Sequence, residues 1–474
     1  MKQTPVSQAE FQAAREATGP APVPLWQILR RRRVDPLERW SRIRAEHGPV
    51  ARYRFGLSDS YLLSSAEAVQ RVLQDNPGGY SKHHPTYAML RRVFGNGLLT
   101  SEGDFWLRQR RLAQPAFHRP RLQRMGEAMA AAAQEAAARW DEAASRGEPV
   151  TMLREMSRVT LKVVGDALFG AALRADSAAM AGAWDVLNAQ LSERHAQMRL
   201  LPPVLPTAYD RTFRHARRTL LGVVERIITE RRGRGAGGGD LLTILMEARD
   251  EDTGESMTDG QLRDEVVTIL LAGHETTATA LAWTWVLLDH HPAAAAALRA
   301  ELDRVLQGRP PAAADLPQLP YARAVIDEAM RLQPPAYILN RRVEADDVVC
   351  GFRVHRGGSI VISPLVLHRH PAYWKQPDAF VPERWDGEAA EERRPKFAYL
   401  PFSGGPRQCI GNHFALMEAT LILTTLAQRF EVRCVDGYVP KPEYLVLCRP
   451  SEGAPMRLER RRARATRVEE AAPA

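Results

Sequence analysis

Residues 399–419, YLPFSGGPRQCIGNHFALMEA, place Cys409 between a glycine-rich loop and the start of a helical pattern. Apolar residues such as Phe414 and Leu421 predict that a helix begins just after the cysteine. A sulfur at a helix N-terminus meets free N–H groups and the positive end of the helix dipole, and both favour the thiolate. The stretch therefore predicts a thiolate, although a buried structural cysteine is the commoner use of a lone cysteine.

The residues beside Cys409 narrow its possible roles. Gly404 and Gly405 leave room for a flat, bulky group, and Phe402 can shield the sulfur from water. Arg407 offers a planar fork that suits a carboxylate. A zinc site through His413 would lack its other ligands, and a catalytic nucleophile would need a paired base that no motif indicates.

The complete spacing resembles the haem-thiolate loop of the cytochrome P450 family, F-x-x-G-x-R-x-C-x-G. It is formed here by Phe402, Gly405, Arg407, Cys409 and Gly411. The resemblance implies that the cysteine is the axial ligand of haem b (iron protoporphyrin IX) and that the other four residues hold the haem. Thiolate ligation in that family donates electron density to iron and favours O–O cleavage.

A long helix is predicted before this loop. Thr258 and Gln261 form a capping-box pattern, and the apolar pattern continues until Pro292. About 32 residues at roughly 1.5 Å each would span about 48 Å, the width of a whole domain. We therefore expect this helix to cross the core.

Inside that helix lies the segment AGHETT, residues 272–277. Its glycine costs about 1 kcal/mol relative to alanine, and a packing notch with threonine hydroxyls bonded to i−4 carbonyls would account for it. The segment also resembles the oxygen-binding groove of the P450 family, (A/G)-G-x-(D/E)-T. The resemblance implies that Ala272 contacts the haem, that Thr276 hydrogen-bonds iron-bound oxygen, and that Glu275 relays protons.

Glu328 and Arg331 are three residues apart and share a helix face, as many solvated ion pairs do. With Arg384 in FVPERW, they resemble the E-x-x-R/PER arrangement of the P450 family. The resemblance implies a buried triad with a structural role.

Trp106 and Arg110 are four residues apart in an arginine-rich segment, so they share one face of a helix. An ordinary basic helix with one core tryptophan would account for this pattern. In the P450 family such a W-x-x-x-R pair contacts the haem propionates. Arg341 resembles a further propionate arginine, and its neighbour Arg342 remains an alternative. Arginine suits the two haem carboxylates because it binds them bidentately.

The rest of the chain predicts a mainly α protein with small β-sheets, in which the long helix crosses the haem as in the P450 fold. Hairpin-like segments lie near residues 49–65 and 347–363. The sequence GRGAGGG at 233–239 matches a nucleotide-binding GxGxxG, but a helix precedes it where a strand is needed, so a flexible linker is expected. The predicted organisation is a flexible tail at 1–25, one P450 domain at 26–460 and a disordered tail at 461–474.

Bulk properties place the 474 residues among globular proteins with a net charge of +9. Four cysteines occur without a CxxC pair, which suits a reducing compartment. We find neither a signal peptide nor an 18-residue apolar run, so we expect a cytoplasmic monomer without a membrane span. Nucleic-acid binding is not expected, because helix-turn-helix, zinc-finger and RNP patterns are missing from the sequence.

The resemblance implies hydroxylation of a lipophilic small molecule with O2 as co-substrate, and fatty acids, terpenoids, steroids and polyketides stay open. Epoxidation, oxidative coupling and peroxide-driven oxidation are alternative chemistries. The expected substrate pocket is largely apolar. Its predicted lining residues are Tyr87, Leu90, Ala336, Ile338, Val446 and Leu447.

Electrons are expected from a separate ferredoxin or flavodoxin with its reductase, and NAD(P)H would contribute only through these partners. The chain itself lacks a convincing nucleotide fold and a ferredoxin cysteine run. A basic face for an acidic partner is one interpretation of the arginine-rich segment after Trp106, and a solvated helix is the other. The arginines concerned are Arg108, Arg111, Arg119, Arg121 and Arg124.

Overall fold

A computed structural model describes residues 5–20, 35–55, 58–170, 177–197, 208–234, 240–385 and 394–461. Most of the predicted linker at 233–239 and nearly all of the predicted C-terminal tail lie outside these ranges.

Helices make up most of the described structure, as predicted. Their bounds are α1 Gln8–Ala13, α2 Pro36–His47, α3 Ala66–Gln70, α4 Pro85–Phe94, α5 Gly103–Ala113, α6 Arg119–Arg146, α7 Met152–Phe169, α8 Ser177–Gln197, α9 Ala208–Arg234, α10 Leu241–Glu247, α11 Asp259–His290, α12 Pro292–Leu306, α13 Pro320–Leu332, α14 Pro364–Leu367 and α15 Asn412–Arg429. Within the described ranges, the helices lack a stretch long and apolar enough to cross a membrane.

The strands are short and form small sheets beside the helices. Their bounds are β1 Arg15–Glu16, β2 Val50–Phe55, β3 Ser58–Leu63, β4 Tyr80–Ser81, β5 Val150–Thr151, β6 Leu339–Val343, β7 Asp347–Val349, β8 Phe352–Val354, β9 Ser359–Ile362, β10 Phe430–Cys434, β11 Pro442–Tyr444, β12 Cys448–Pro450 and β13 Pro455–Arg460. The sheet orders are β2-β3-β9-β6-β4, β1-β8-β7, β10-β13-β5 and β11-β12.

Helix α11 crosses the core, and this prediction is confirmed. It has 32 residues and begins with the predicted capping box, in which Thr258 and Gln261 exchange side-chain and backbone hydrogen bonds. Val266, Leu270 and Leu281 are fully buried. The helix packs against α7, α9, α13 and α15. It is apolar on nearly every side because it has neighbours on nearly every side.

Both predicted hairpin regions contain antiparallel strand pairs. Strands β2 and β3 pair from Val50 opposite Leu63 to Phe55 opposite Ser58. Strands β7 and β8 pair across a turn in which Cys350 and Gly351 have positive φ angles of 50° and 78°. Strand β9, which follows in sequence, joins the five-stranded sheet instead.

Of the flexible tail predicted for residues 1–25, residues 5–20 are described and the rest lies outside the described ranges. Helix α1 is capped by Ser7 and Glu10 in a capping box. Strand β1 then pairs in parallel with β8, with Arg15 opposite Phe352. Arg353 of β8 also donates a hydrogen bond of 2.9 Å to the carbonyl oxygen of Phe11. These contacts come from β8, more than 300 residues away in sequence, so local composition could not indicate them.

Candidate functional site

The Cys409 loop joins a short 3-10 turn, Gly405–Arg407, to helix α15, which begins at Asn412. The backbone N–H of Cys409 donates to the carbonyl oxygen of Phe402 over 3.0 Å, which fixes the loop. Cys409 is exposed. Burial raises the pKa of the thiol, while the Gly411 N–H and the Arg110 guanidinium act in the opposite direction. The loop thus presents one accessible sulfur beside a cation and a backbone donor.

Gly405 is required by the path of this loop. Its φ angle of 67° lies in the left-handed region. A β-carbon built at this residue would lie 1.8 Å from the carbonyl oxygen of Leu73. The predicted importance of this glycine therefore has a packing cause, since the loop must lie directly against the backbone near Leu73.

A buried group of cations lies near the loop and includes Lys82, Arg110, Arg341 and Arg407. Glu102 is the acidic partner that pairs with Arg407, with Nη2 and Oε1 2.6 Å apart. The Arg407 guanidinium also stacks on the Trp106 ring, 3.9 Å from its centroid. Burial, opposed by Glu102 and reinforced by Arg341, lowers the pKa of Arg407 to about 10.

Arg110 lies on α5 and donates from Nη1 to the carbonyl oxygen of Gln408 over 2.8 Å. Trp106, one turn earlier on α5, is 3% exposed. The fold therefore brings the W-x-x-x-R pair against the Cys409 loop, although the two segments are about 300 residues apart in sequence.

Lys82 was missed by sequence reasoning. It is 7% exposed, and its ammonium donates to the carbonyl oxygen of Leu99 over 2.7 Å. Burial lowers its pKa well below the ordinary value, and the charges of Arg407 and Arg341 add to that effect. A lone lysine after a short strand carries no pattern that would have identified it.

Arg341 and Arg342 point in opposite directions because successive side chains of strand β6 alternate. Arg341 is buried and donates to the Tyr87 hydroxyl over 3.1 Å, whereas Arg342 is exposed. Tyr87, predicted to line the substrate pocket, thus contacts the cation group through its hydroxyl.

The composition of this site fits a haem. Among the described residues, Glu102 is the carboxylate that pairs with this group of three arginines and Lys82, and burying positive charge without a partner is costly. The Nη1 atom of Arg407 is buried without a hydrogen-bond partner among the described residues. Two propionate carboxylates would balance the excess positive charge, and Cys409 would supply the iron ligand.

The AGHETT segment presents two faces of α11. Ala272, Gly273 and Thr276 are partly accessible, whereas His274 and Glu275 are buried. The Thr276 hydroxyl donates to the Ala272 carbonyl oxygen over 2.9 Å, which is the i−4 bond that the packing interpretation predicts. Ala272 and Thr276 share one face since they are four residues apart.

Glu275 faces a different space from Thr276. It lines a cavity of about 670 Å³ whose walls include Leu161, Trp184 and Asp185 but neither Ala272 nor Thr276. Adjacent helical residues point about 100° apart, which explains the separation.

Arg449 of strand β12 is the principal partner of Glu275, and sequence reasoning missed it. Its Nη2 atom forms an ion pair with the Glu275 carboxylate. Ser157 donates a further hydrogen bond of 3.3 Å, and the His274 ring lies 3.5 Å away. Burial alone would raise the pKa of Glu275, but His274 and Arg449 outweigh it and lower the pKa to about 2. The carboxylate is therefore held in its charged form.

The predicted Glu328, Arg331 and Arg384 residues form one buried cluster. Arg331 donates to both Glu328 oxygens over 2.8 and 2.9 Å, and Arg384 donates from Nε over 3.0 Å. The Trp385 indole and the Val381 N–H complete the acceptor capacity of the carboxylate at 2.9 Å each. Glu328 and Arg331 are fully buried.

Two of the predicted pocket segments are tied together. The Tyr337 hydroxyl donates to the Leu445 carbonyl oxygen, and the Cys448 N–H donates to the Pro335 carbonyl oxygen, each over 2.9 Å. These bonds join the segment carrying Ala336 and Ile338 to the loop carrying Val446 and Leu447. The four side chains are partly accessible. Leu90, on α4, is buried in the main core.

The proposed basic face is partly used within the chain. Arg108 pairs with Glu255 at 3.3 Å, and Arg111 pairs with Asp250 at 2.8 Å. Arg124 is exposed and Arg121 is partly accessible, while the side chain of Arg119 lies outside the described part. Within the described part of the chain, the arginines of this group that form no ion pair are therefore on α6 and not on α5.

Cys434 provides a contrast to Cys409. Burial and the Asp289 carboxylate both raise the pKa of the Cys434 thiol to about 12. Its backbone N–H donates to Asp289 over 2.9 Å. Because a nearby carboxylate disfavours the thiolate as long as no cation is bound between them, Cys434 is less suited than Cys409 to be the thiolate ligand of a haem iron. Arg110, whose charge favours an anionic sulfur, lies beside Cys409.

Residues 18–454 match the family model described as Cytochrome P450. Cyclooctatin synthase from Streptomyces melanosporofaciens is 38% identical over 402 residues, which cover 84% of this chain and 85% of that protein. Cyclooctat-9-en-7-ol 5-monooxygenase from the same organism is 35% identical over 443 residues, covering 91% and 94%.

Pentalenene oxygenase from Streptomyces avermitilis is 35% identical over 426 residues, covering 88% of this chain and 91% of that protein. Among solved structures, the haem domain of cytochrome P450DA superposes with a TM-score of 0.85 at 28% identity. That alignment covers 95% of this chain and 98% of the other.

Proposed function

Because the chain belongs to the cytochrome P450 family and is a cytochrome P450 monooxygenase, we propose that it oxidises a lipophilic polycyclic terpenoid at a haem held by Cys409. The observation that carries the cofactor assignment is the accessible Cys409 sulfur beside the buried excess of cations. The relatives named cyclooctatin synthase and pentalenene oxygenase support the substrate class.

Each residue near the loop has a proposed role in holding the cofactor. Cys409 ligates the iron, and Arg110, Arg341, Arg407 and Lys82 bind the two propionates. When bound, the haem supplies O2 reduction and the transfer of one oxygen atom to a C–H bond, with electron density donated by the thiolate.

The chain contributes a proton route beside that chemistry. Thr276, whose hydroxyl lies on the accessible face of α11, positions a proton at the reacting oxygen. Glu275 collects protons from water in the adjoining cavity and passes them to the Thr276 side. Since a carboxylate with a pKa of about 2 seldom holds a proton, its pairing with Arg449 must loosen for it to serve as a donor.

Substrate orientation falls to the apolar residues of the two joined loops. Ala336 and Ile338 on one segment and Val446 and Leu447 on the other offer hydrocarbon surface and few polar atoms. Such a surface suits a rigid hydrocarbon skeleton better than an acid with a charged headgroup.

An external electron donor completes the proposal. An acidic ferredoxin or flavodoxin would bind near Arg121 and Arg124, which form no ion pair with the described residues, unlike Arg108 and Arg111. Reversing the charges of Arg121 and Arg124 together should slow reduction of the iron by such a donor at low ionic strength. Unchanged reduction would place the docking site elsewhere.

The decisive experiment is the spectrum of the reduced carbon monoxide complex for matched cysteine variants. We expect the parent protein and Cys434→Ser to give the thiolate-type spectrum, and Cys409→Ser to lose it. If Cys434→Ser loses the spectrum and Cys409→Ser keeps it, the ligand assignment is wrong.

A substrate screen then tests the terpenoid proposal. Polycyclic terpenoid hydrocarbons, fatty acids and steroids would be added to the ferric protein, and the spin-state change would be recorded. We expect terpenoids to give the largest change and an oxygenated product with a reconstituted donor. A response confined to fatty acids or steroids would overturn the substrate class.

A further inference from the structure

A second group of potential metal ligands lies where α11 ends. Asp289 and His290 are the last two residues of that helix, and Cys434 is the last residue of β10. One ligand atom from each residue lies within 4.8 Å of the other two. Among the described residues, three or more His, Cys, Asp or Glu side chains come together with such spacing in this group.

The donor types suit one class of ion. A thiolate sulfur, an imidazole nitrogen and a carboxylate oxygen together form a mixed set that Zn²⁺ binds, with three protein ligands and water in the fourth position. Hard ions such as Mg²⁺ and Ca²⁺ prefer oxygen ligands. The three ligand atoms lie within 4.8 Å of one another. Only a small side-chain adjustment is needed for all three to reach one zinc ion, whose bonds to such ligands are roughly 2.0–2.3 Å long.

The surroundings prepare two of the three ligands. The Nδ1 atom of His290 lies 2.9 Å from the carbonyl oxygen of Val286, so the N–H is engaged there and Nε2 is left for a metal. Asp289 accepts the backbone N–H of Cys434, which fixes the carboxylate beside the sulfur. A helix C-terminus also carries a partial negative charge that favours a cation.

Access is available from solvent. His290 is exposed, while Asp289 and Cys434 are partly accessible, so an ion can enter from the side of the imidazole. This position is at the end of α11, at the junction with the sheet of β10, β13 and β5.

We propose that Asp289, His290 and Cys434 form a zinc site that fastens the end of α11 to the C-terminal sheet. Cys434 loses its thiol proton to solvent when Zn²⁺ binds, so the sulfur enters the site as thiolate. The site is separate from the haem and does not depend on the proposed substrate or on Cys409.

The test begins with holoprotein treated with a chelator, dialysed to equilibrium against Zn²⁺ and analysed for metal content. We expect one zinc per chain. His290→Gln, at an exposed position, and Cys434→Ser should each weaken binding more than about tenfold. Cys350→Ser, which removes an exposed cysteine outside the group, is the matched control and should bind zinc as the parent does.

A second measurement reports on the sulfur directly. Zinc should slow alkylation of Cys434 by iodoacetamide, followed by mass spectrometry, and leave alkylation of Cys350 unchanged. An unaltered haem absorption spectrum would show that each variant is folded. Equal zinc uptake by the parent and His290→Gln, or equal alkylation of Cys434 with and without zinc, would overturn the proposal.

Discussion

Removing the Arg449 guanidinium should make Glu275 easier to protonate. Arg449→Met keeps a side chain of similar length in β12 but deletes the ion pair. The carboxylate keeps Ser157 and His274 as neighbours and remains 4% exposed. Burial acts upward on its pKa while the His274 hydrogen bond still acts downward, so without Arg449 we expect the pKa to rise from about 2 towards its ordinary value of 4.5.

The magnitude follows from the size of the shift. A pKa lowered from 4.5 to about 2 corresponds to about 3 kcal/mol in favour of the charged form. In the parent protein this stabilisation is fully present above pH 4.5 and is lost as the pH falls towards about 2. In Arg449→Met the pKa lies closer to 4.5, so less of this stabilisation is present above pH 4.5. The difference in unfolding free energy should therefore widen as the pH rises from about 2 to 4.5, to at most about 3 kcal/mol, and stay constant towards neutral pH.

The assay is urea unfolding of both proteins across a pH series from acid to neutral, followed by far-ultraviolet circular dichroism. Arg158→Met is the matched control, because Arg158 lines the same cavity but pairs with Glu155 at the surface. Product formed per electron consumed, measured over the same pH series, reports on proton delivery. We expect Arg449→Met to shift the pH dependence of this ratio upward and Arg158→Met to leave it in place.

Parallel stability curves for the parent and Arg449→Met would refute the reasoning. That result would mean that Ser157 and His274 alone hold Glu275 in its charged form. A shift of equal size in Arg158→Met would point to the general charge of the cavity instead of the ion pair.

Two further carboxylates give predictions of opposite sign. Burial, opposed by the Leu98 N–H, raises the pKa of Glu265 to about 8, so the stability of the parent protein should fall as the pH rises from 4.5 through about 8. In urea unfolding, Glu265→Gln should remove that fall and be more stable than the parent by several kcal/mol at about pH 8. If the fall persists in Glu265→Gln, another group causes it. Glu328→Gln should lower stability by about 3–5 kcal/mol because it leaves the buried Arg331 charge without its partner. Glu383→Gln, at an exposed residue, should change the same unfolding midpoint little, and similar losses in both variants would contradict a special role for Glu328.

Features set by local sequence were predictable. The capping box of Thr258 and Gln261 and the continuous apolar pattern identified α11, because both depend on residues within a few positions of each other. The β2–β3 hairpin was predictable for the same reason. The Cys409 loop was identified because the spacing of its residues resembles the haem-thiolate loop of the P450 family. Hydrophobic periodicity alone would not have identified it.

Features set by distant residues were not predictable. Arg449 and Glu275 are 174 residues apart, and the contact exists only because β12 folds back onto α11. Lys82 becomes notable only once three arginines surround it. The choice between Arg341 and Arg342 required knowing which face of β6 is covered.

Strand β1 has a practical consequence for anyone who shortens the chain. In the three-stranded order β1-β8-β7, the N-terminal residues cover one side of β8. Trimming the first eighteen residues to remove an apparently dispensable leader would turn β8 into an open edge, with unpaired backbone groups ready to join another molecule. Self-association of such a trimmed protein would then result from the exposed edge of β8. An affinity tag is therefore better joined to the C-terminus.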